Sequence, residues 1–99
     1  MDHLCPPDKI QDNKCTLYRL QLIYHEDVNF QLDASLILDN VQIKCYLKET
    51  QEPCAIMIRS SHGQITLKNT SKSHGSAVVL EAPLREVTLF DTSAIITTG

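Results

Sequence analysis

The sequence predicts an all-β fold, a β-sandwich or barrel of short strands. Apolar residues alternate with polar ones from Thr16 onward, which is the pattern of strands buried on one face. Clusters of short polar residues interrupt that alternation at regular intervals, as turns between strands do. No stretch combines a helix cap with an apolar stripe of 3.6-residue period, and β-branched and aromatic residues fill the candidate strands.

Taken in order, residues 1–14 carry Pro6-Pro7 and little apolar content, and read as an N-terminal tail, extended or loosely docked, ahead of a single domain over residues 15–99. Tyr18, Leu20, Leu22 and Tyr24 share one face of a strand over 16–24, and Val28, Phe30 and Leu32 share one face of a strand over 28–33, with His25-Glu26-Asp27 as the turn between them. Asp39-Asn40 separates two apolar runs and reads as another turn. Val41, Ile43, Cys45 and Leu47 continue the alternation, which breaks at Glu49-Thr50-Gln51-Glu52-Pro53 and resumes with Cys54, Ile56 and Ile58. Pro53 lacks a backbone donor and so marks a strand start or edge. Ser60-Ser61-His62-Gly63 reads as a hairpin turn with Gly63 at positive φ, followed by a strand through Ile65 and Leu67. Further strands are predicted at 76–80, 85–90 and 94–98, with Asp91-Thr92-Ser93 as the last turn.

Composition narrows the function. Ninety-nine residues with 42% apolar and 21% charged side chains match ordinary globular usage, so the chain can bury a core of its own. The net charge of −3 arises from scattered charges and provides no basic footprint for nucleic acid. No apolar run reaches membrane-spanning length, and the first residues lack the basic and apolar segments of a signal peptide. The expectation is therefore an intracellular protein with Cys5, Cys15, Cys45 and Cys54 reduced, and without a zinc site, because no close Cys or His pair is present. No nucleophile stands beside an activating base in a recognisable arrangement, and no phosphate-loop or dinucleotide motif occurs, which argues against an enzyme and against a cofactor. The polar loop Asn69–Ser76 gathers hydroxyls, an amide, Lys72 and His74 around Gly75, a mixture suited to an oxyanion but equally ordinary for a solvated turn.

The order of these pieces resembles the forkhead-associated (FHA) domain, a β-sandwich of two mainly antiparallel sheets whose end loops bind phosphothreonine peptides. Ser71-Lys72-Ser73-His74-Gly75-Ser76 stands in the place of the family's S-x-x-N-G-T loop, and Leu89 to Ile95 in the place of its later L-x-x-G-D-x-I motif. Leu36-Ile37-Leu38-Asp39 occupies the strand that ends in Gly-Arg, and Thr50-Gln51-Glu52-Pro53 the S-x-x-H segment. The resemblance implies vestigial phosphopeptide contacts at Thr50, Ser71, Lys72 and His74. It also implies degenerate motif positions at Leu38, Asp39 and Pro53, which stand for the family's glycine, arginine and histidine. A carboxylate at Asp39 repels phosphate and lacks the bidentate donors of arginine, so ordinary phosphothreonine binding is expected to be lost. The degenerate site, with Met1 opening the chain, is similar to divergent FHA domains of the mediator of DNA damage checkpoint group, which dimerise. That likeness implies a nuclear, non-catalytic scaffold whose partners are itself, as a homodimer, and other proteins. A strand edge left uncovered near Gly99 would suit such a dimer. The alternative is a working phosphothreonine reader.

Overall fold

The computed structural model describes residues 4–90 and 93–97. Its strands are β1 (Ile10–Gln11), β2 (Lys14–Tyr24), β3 (Val28–Leu32), β4 (Ser35–Cys45), β5 (Ile56–Ser60), β6 (Ile65–Lys68), β7 (Lys72–Gly75), β8 (Val78–Glu81), β9 (Val87–Leu89) and β10 (Ala94–Thr97), preceded by a single 3-10 turn at Pro7–Lys9. The protein is all-β, as the alternation predicts. The last predicted turn, at Asp91 and Thr92, and the end of the last predicted strand, at Thr98, lie outside the described residues.

Strand direction corrects the expectation of mainly antiparallel sheets. Apart from the two-residue pairing of β1 with β2 and an isolated bridge between Tyr46 and Pro53, every pairing is parallel. Cys15 pairs with Leu36, Leu36 with Ile65, and Ile65 with Val87, so one column of residues rises through successive passes of the chain. Leu22, Ile43, Ser73 and Ile95 form a second column, and Val28, Ile56 and Val78 a third. The chain winds as a three-faced coil, each pass laying one rung on each face. Parallel neighbours need a long return connection. Here that connection is the remainder of the coil, so no helix is required. Alternation specifies which side chains point inward but not the direction of the neighbouring strand, which is why the sequence left the pairing open.

A bend divides each long strand between two faces. Arg19 (φ 56°) turns β2 and Asn40 (φ 57°) turns β4, while in the next pass Asn69 (φ 55°) and Thr70 (φ 62°) separate β6 from β7. Asparagine tolerates this left-handed conformation better than most residues. The bend also shifts the alternation by one residue, so that Leu36 and Leu38 point inward before it and Val41, Ile43 and Cys45 after it. The predicted turn at Asp39-Asn40 is thus a corner within one strand.

The interior is a stack that includes Leu17, Phe30, Leu36, Leu38, Val41, Ile43, Ile56, Ile58, Ile65 and Leu67. Tyr24 covers Phe30 at a ring separation of 5.4 Å. Burying each such side chain contributes about 1.5–3 kcal/mol, and the tube supplies the whole core. Gly63 does not have the positive φ expected of it. A Cβ there would lie 2.4 Å from the Ser35 backbone nitrogen, so close approach of two passes is what demands glycine. Nor does Ser60–Gly63 close a hairpin: it carries the chain from β5 in one sheet to β6 in the other.

The cysteines are also corrected. Cys5 is bonded to Cys15 and Cys45 to Cys54, and no cysteine is free among the described residues. Between Cys45 and Cys54 the second pass makes an excursion over residues 46–53, and the return is sealed by the Cys54 N–H donating to the Cys45 carbonyl at 3.0 Å. The first bond holds the N-terminal segment against β2, burying Leu4 and Cys5 over one end of the coil. Leu4 and Cys5 of the predicted tail thus cap this end, while residues 6–14 are exposed.

Among the described residues, the Ser73 hydroxyl is a buried side-chain polar group with no hydrogen-bond partner. It sits in a column between Ile43 and Ile95. Ser73→Ala is expected to leave stability unchanged or raise it by about 1 kcal/mol, since the mutation removes an unpaired polar group. Thermal unfolding checks this, and a clear loss of stability would contradict it.

Candidate interaction surfaces

The residues that sequence reasoning assigned to a phosphopeptide site fall in different environments. Ser71 is fully buried. Its hydroxyl shares its proton between the carbonyls of Leu38 and Lys68, each at 2.9 Å, and accepts the Val41 N–H at 2.9 Å. All three are backbone groups beside the bends at Asn40 and Asn69, so Ser71 ties two passes together and has no hydroxyl to offer a ligand. Leu38 is a core residue with no exposed surface. Asp39 accepts a hydrogen bond from the Asn69 amide at 2.6 Å on the outer face of the bend. Thr50 lies on the exposed excursion, where its Oγ1 accepts the Glu52 N–H at 3.3 Å. Lys72 is exposed at the start of β7. Pro53 and His74 do meet, lining a cleft of about 300 Å³ with Lys44, Cys45, Tyr46 and Gln51.

Two surfaces stand out, the first of them not singled out from the sequence. The first is a groove of about 830 Å³ along the bend, lined by Tyr18, Arg19, Asp39, Asn40, Asn69 and Thr70. Neighbouring passes bring these residues together, as Tyr18 pairs with Asp39 and Asp39 with Lys68. The return of Asn at Asn40 and Asn69, each after an apolar run, is the sequence signal that marks the bend.

The second surface is the edge of the coil formed by β8, β9 and β10. Among the described residues each pairs on one side only, with β5, β6 and β7 respectively. Leu89 and Ile95 occupy inward columns, yet Leu89 is 39% exposed where its rung partner Leu67 is 0%, and Ile95 is 37% exposed. Leu84 and Phe90 add apolar surface on the adjoining turns. Among the described residues this end therefore carries exposed apolar side chains, in contrast to the end over β2 that carries Leu4, Cys5 and β1.

At the turn beside β3, the Asp33 carboxylate accepts hydrogen bonds from the Ser61 hydroxyl and from His62, which together hold it below the usual carboxylate range. His62 is exposed and Ser61 half-buried, and the group belongs to the turn. No cluster of three or more His, Cys, Asp or Glu suited to a metal ion occurs among the described residues. No helix among them is long and apolar enough to cross a membrane.

The columns and corners define the architecture as a parallel β-solenoid with two disulfides. No protein-family model matches the chain, and no match was found among curated proteins or among solved structures.

Proposed function

We propose that this chain is a non-catalytic protein-interaction module that self-associates through the open edge formed by β8, β9 and β10. The observation that carries the reading is the exposure of Leu89 and Ile95 at inward-facing core positions. An edge whose strands pair on one side among the described residues, with apolar side chains exposed beside it, is a template for strand addition. The occupant we assign is a second copy of the chain. A head-to-tail stack would require displacing the disulfide-held cap from β2, whereas a two-fold pairing joins open edge to open edge and uses the same surface on both copies. Each copy's strands then run antiparallel to those of its partner, and each copy's Leu89 and Ile95 cover the other's interior.

Parallel registers support a solenoid module in preference to the FHA sandwich that the sequence resembles. The working phosphothreonine reader draws no support from the arrangement, because the hydroxyl of Ser71 is already committed to three backbone groups. The two disulfides favour an oxidising compartment over the nuclear one implied by the resemblance.

Light scattering coupled to size exclusion, run from about 1 to 100 µM, is expected to show the mass of a dimer that dissociates on dilution. Leu84→Lys and Ile95→Lys are expected to return the protein to monomer with its β-sheet circular dichroism retained. A wild-type mass that stays monomeric across the range overturns the proposal.

A further inference from the structure

We infer that the groove along the bend is a binding site for a neutral sugar. Its lining supplies the two elements that sugar recognition needs: an exposed aromatic face and a set of planar, paired polar groups. Tyr18 is 60% exposed although it sits on a strand whose neighbouring residue Leu17 is in the core. Neither Tyr18 nor Arg19 makes a side-chain hydrogen bond, ion pair or ring contact among the described residues, so both are free to engage a ligand. An aromatic ring presented in this way offers an apolar surface to the C–H face of a pyranose while its hydroxyl remains available for hydrogen bonding.

The polar side of the groove is held in place before any ligand arrives. The Asn69 amide donates to Asp39 at 2.6 Å, which fixes the carboxylate and leaves it further acceptor capacity for sugar hydroxyls. The Thr70 hydroxyl donates to the Asn69 carbonyl at 2.6 Å and stands 3.5 Å from the Asn40 Oδ1, so the Asn40 amide hydrogens face the groove uncommitted among the described residues. Arg19 adds a planar fork of donors. These groups stand on successive passes of the coil, whose parallel register sets Tyr18 beside Asp39 and Asp39 beside Lys68 before a ligand binds.

Charge decides between ligand classes. Arg19 and Asp39 bring one charge of each sign, and the other lining residues are neutral at ordinary pH. A phosphate or sulfate would face Asp39 directly, and a cation would face Arg19. A neutral polyol can accept from one and donate to the other. Arg19 adopts φ 56° at the corner where the following passes hold Asn40 and Asn69, and it lines the groove with them. This site stands on the bend and is independent of the edge proposed for self-association.

The test uses the full chain with cellopentaose, xylopentaose and mannopentaose, followed by amide chemical shifts and titration calorimetry. At least one of the three is expected to bind with Kd near 1 mM, roughly the range of a shallow groove, and to shift amides at Tyr18, Asp39, Asn40, Asn69 and Thr70. Tyr18→Ala is expected to weaken binding by about tenfold, whereas Tyr18→Phe, which retains the ring, stays within about threefold. Affinity that rises from the disaccharide to the pentaose identifies a polymer as the ligand; affinity independent of length identifies a terminal sugar. Inorganic phosphate serves as the charged control. Binding of phosphate in place of the sugars, shifts elsewhere on the molecule, or no shift with any of the three at about 10 mM overturns the inference.

Discussion

Removal of both disulfides is expected to lower the free energy of unfolding by about 5 kcal/mol. Each bond closes a short loop, with sequence separations of 10 and 9, and the chain-entropy relation assigns about 2.6 kcal/mol to a loop of that size. Domains of this class are stable by only about 5–15 kcal/mol, so the doubly reduced chain sits near its unfolding threshold at 25 °C. Urea unfolding of Cys5→Ala/Cys15→Ala, of Cys45→Ala/Cys54→Ala and of the fourfold variant separates the contributions. The first pair releases the cap over β2, and the second frees the excursion at residues 46–53. Coincident unfolding curves for oxidised and fourfold-substituted protein would refute the structural role of both bonds.

Leu38→Ala is expected to cost about 3 kcal/mol, within the range for emptying a fully buried leucine site. Leu38 has no exposed surface and stands in register with Leu17 and Leu67, between the passes that flank it. The same substitution separates two accounts of this position. A degenerate loop residue at a binding site would tolerate alanine with a change within about 0.5 kcal/mol, as surface positions do. Chemical denaturation with an unchanged m-value reads the difference directly, and a loss below about 1 kcal/mol would remove Leu38 from the core.

The strands were legible because alternation is a local property. The residues from Val41 to Cys45 and from Ile56 to Ile58 take the faces that their spacing assigns, and Phe30 and Val28 do the same in β3. Partner and direction were not legible. Ser60–Gly63 has the composition of a hairpin turn, yet the chain leaves it for a different sheet, because a short polar turn is compatible with either outcome. Cys45 and Cys54 are separated by a polar excursion with no strand of its own, and their pairing follows from the return of the chain to the same rung.

The candidate site was less legible than the fold. Ser71, read as a loop hydroxyl, is a corner post whose partners lie 30 and 33 residues away in sequence, at Val41 and Leu38. The groove residues Tyr18, Asp39 and Asn69 come from three passes and share no local pattern. Their adjacency exists only after the coil has closed.

The sequence by itself determined an all-β chain and the buried faces of β3, β5 and the second half of β4, since period-2 burial acts over a few residues; Tyr18 and Leu20, read as sharing the buried face of β2, are exposed, and β7 lies within the stretch read as a polar loop. Tertiary structure decided that the strands stack in parallel passes, that the four cysteines pair, that Ser71 seals a corner, and that Leu89 and Ile95 stand at an open end. Each of these depends on which distant segments become neighbours, and the stacking of one pass on the next sets that.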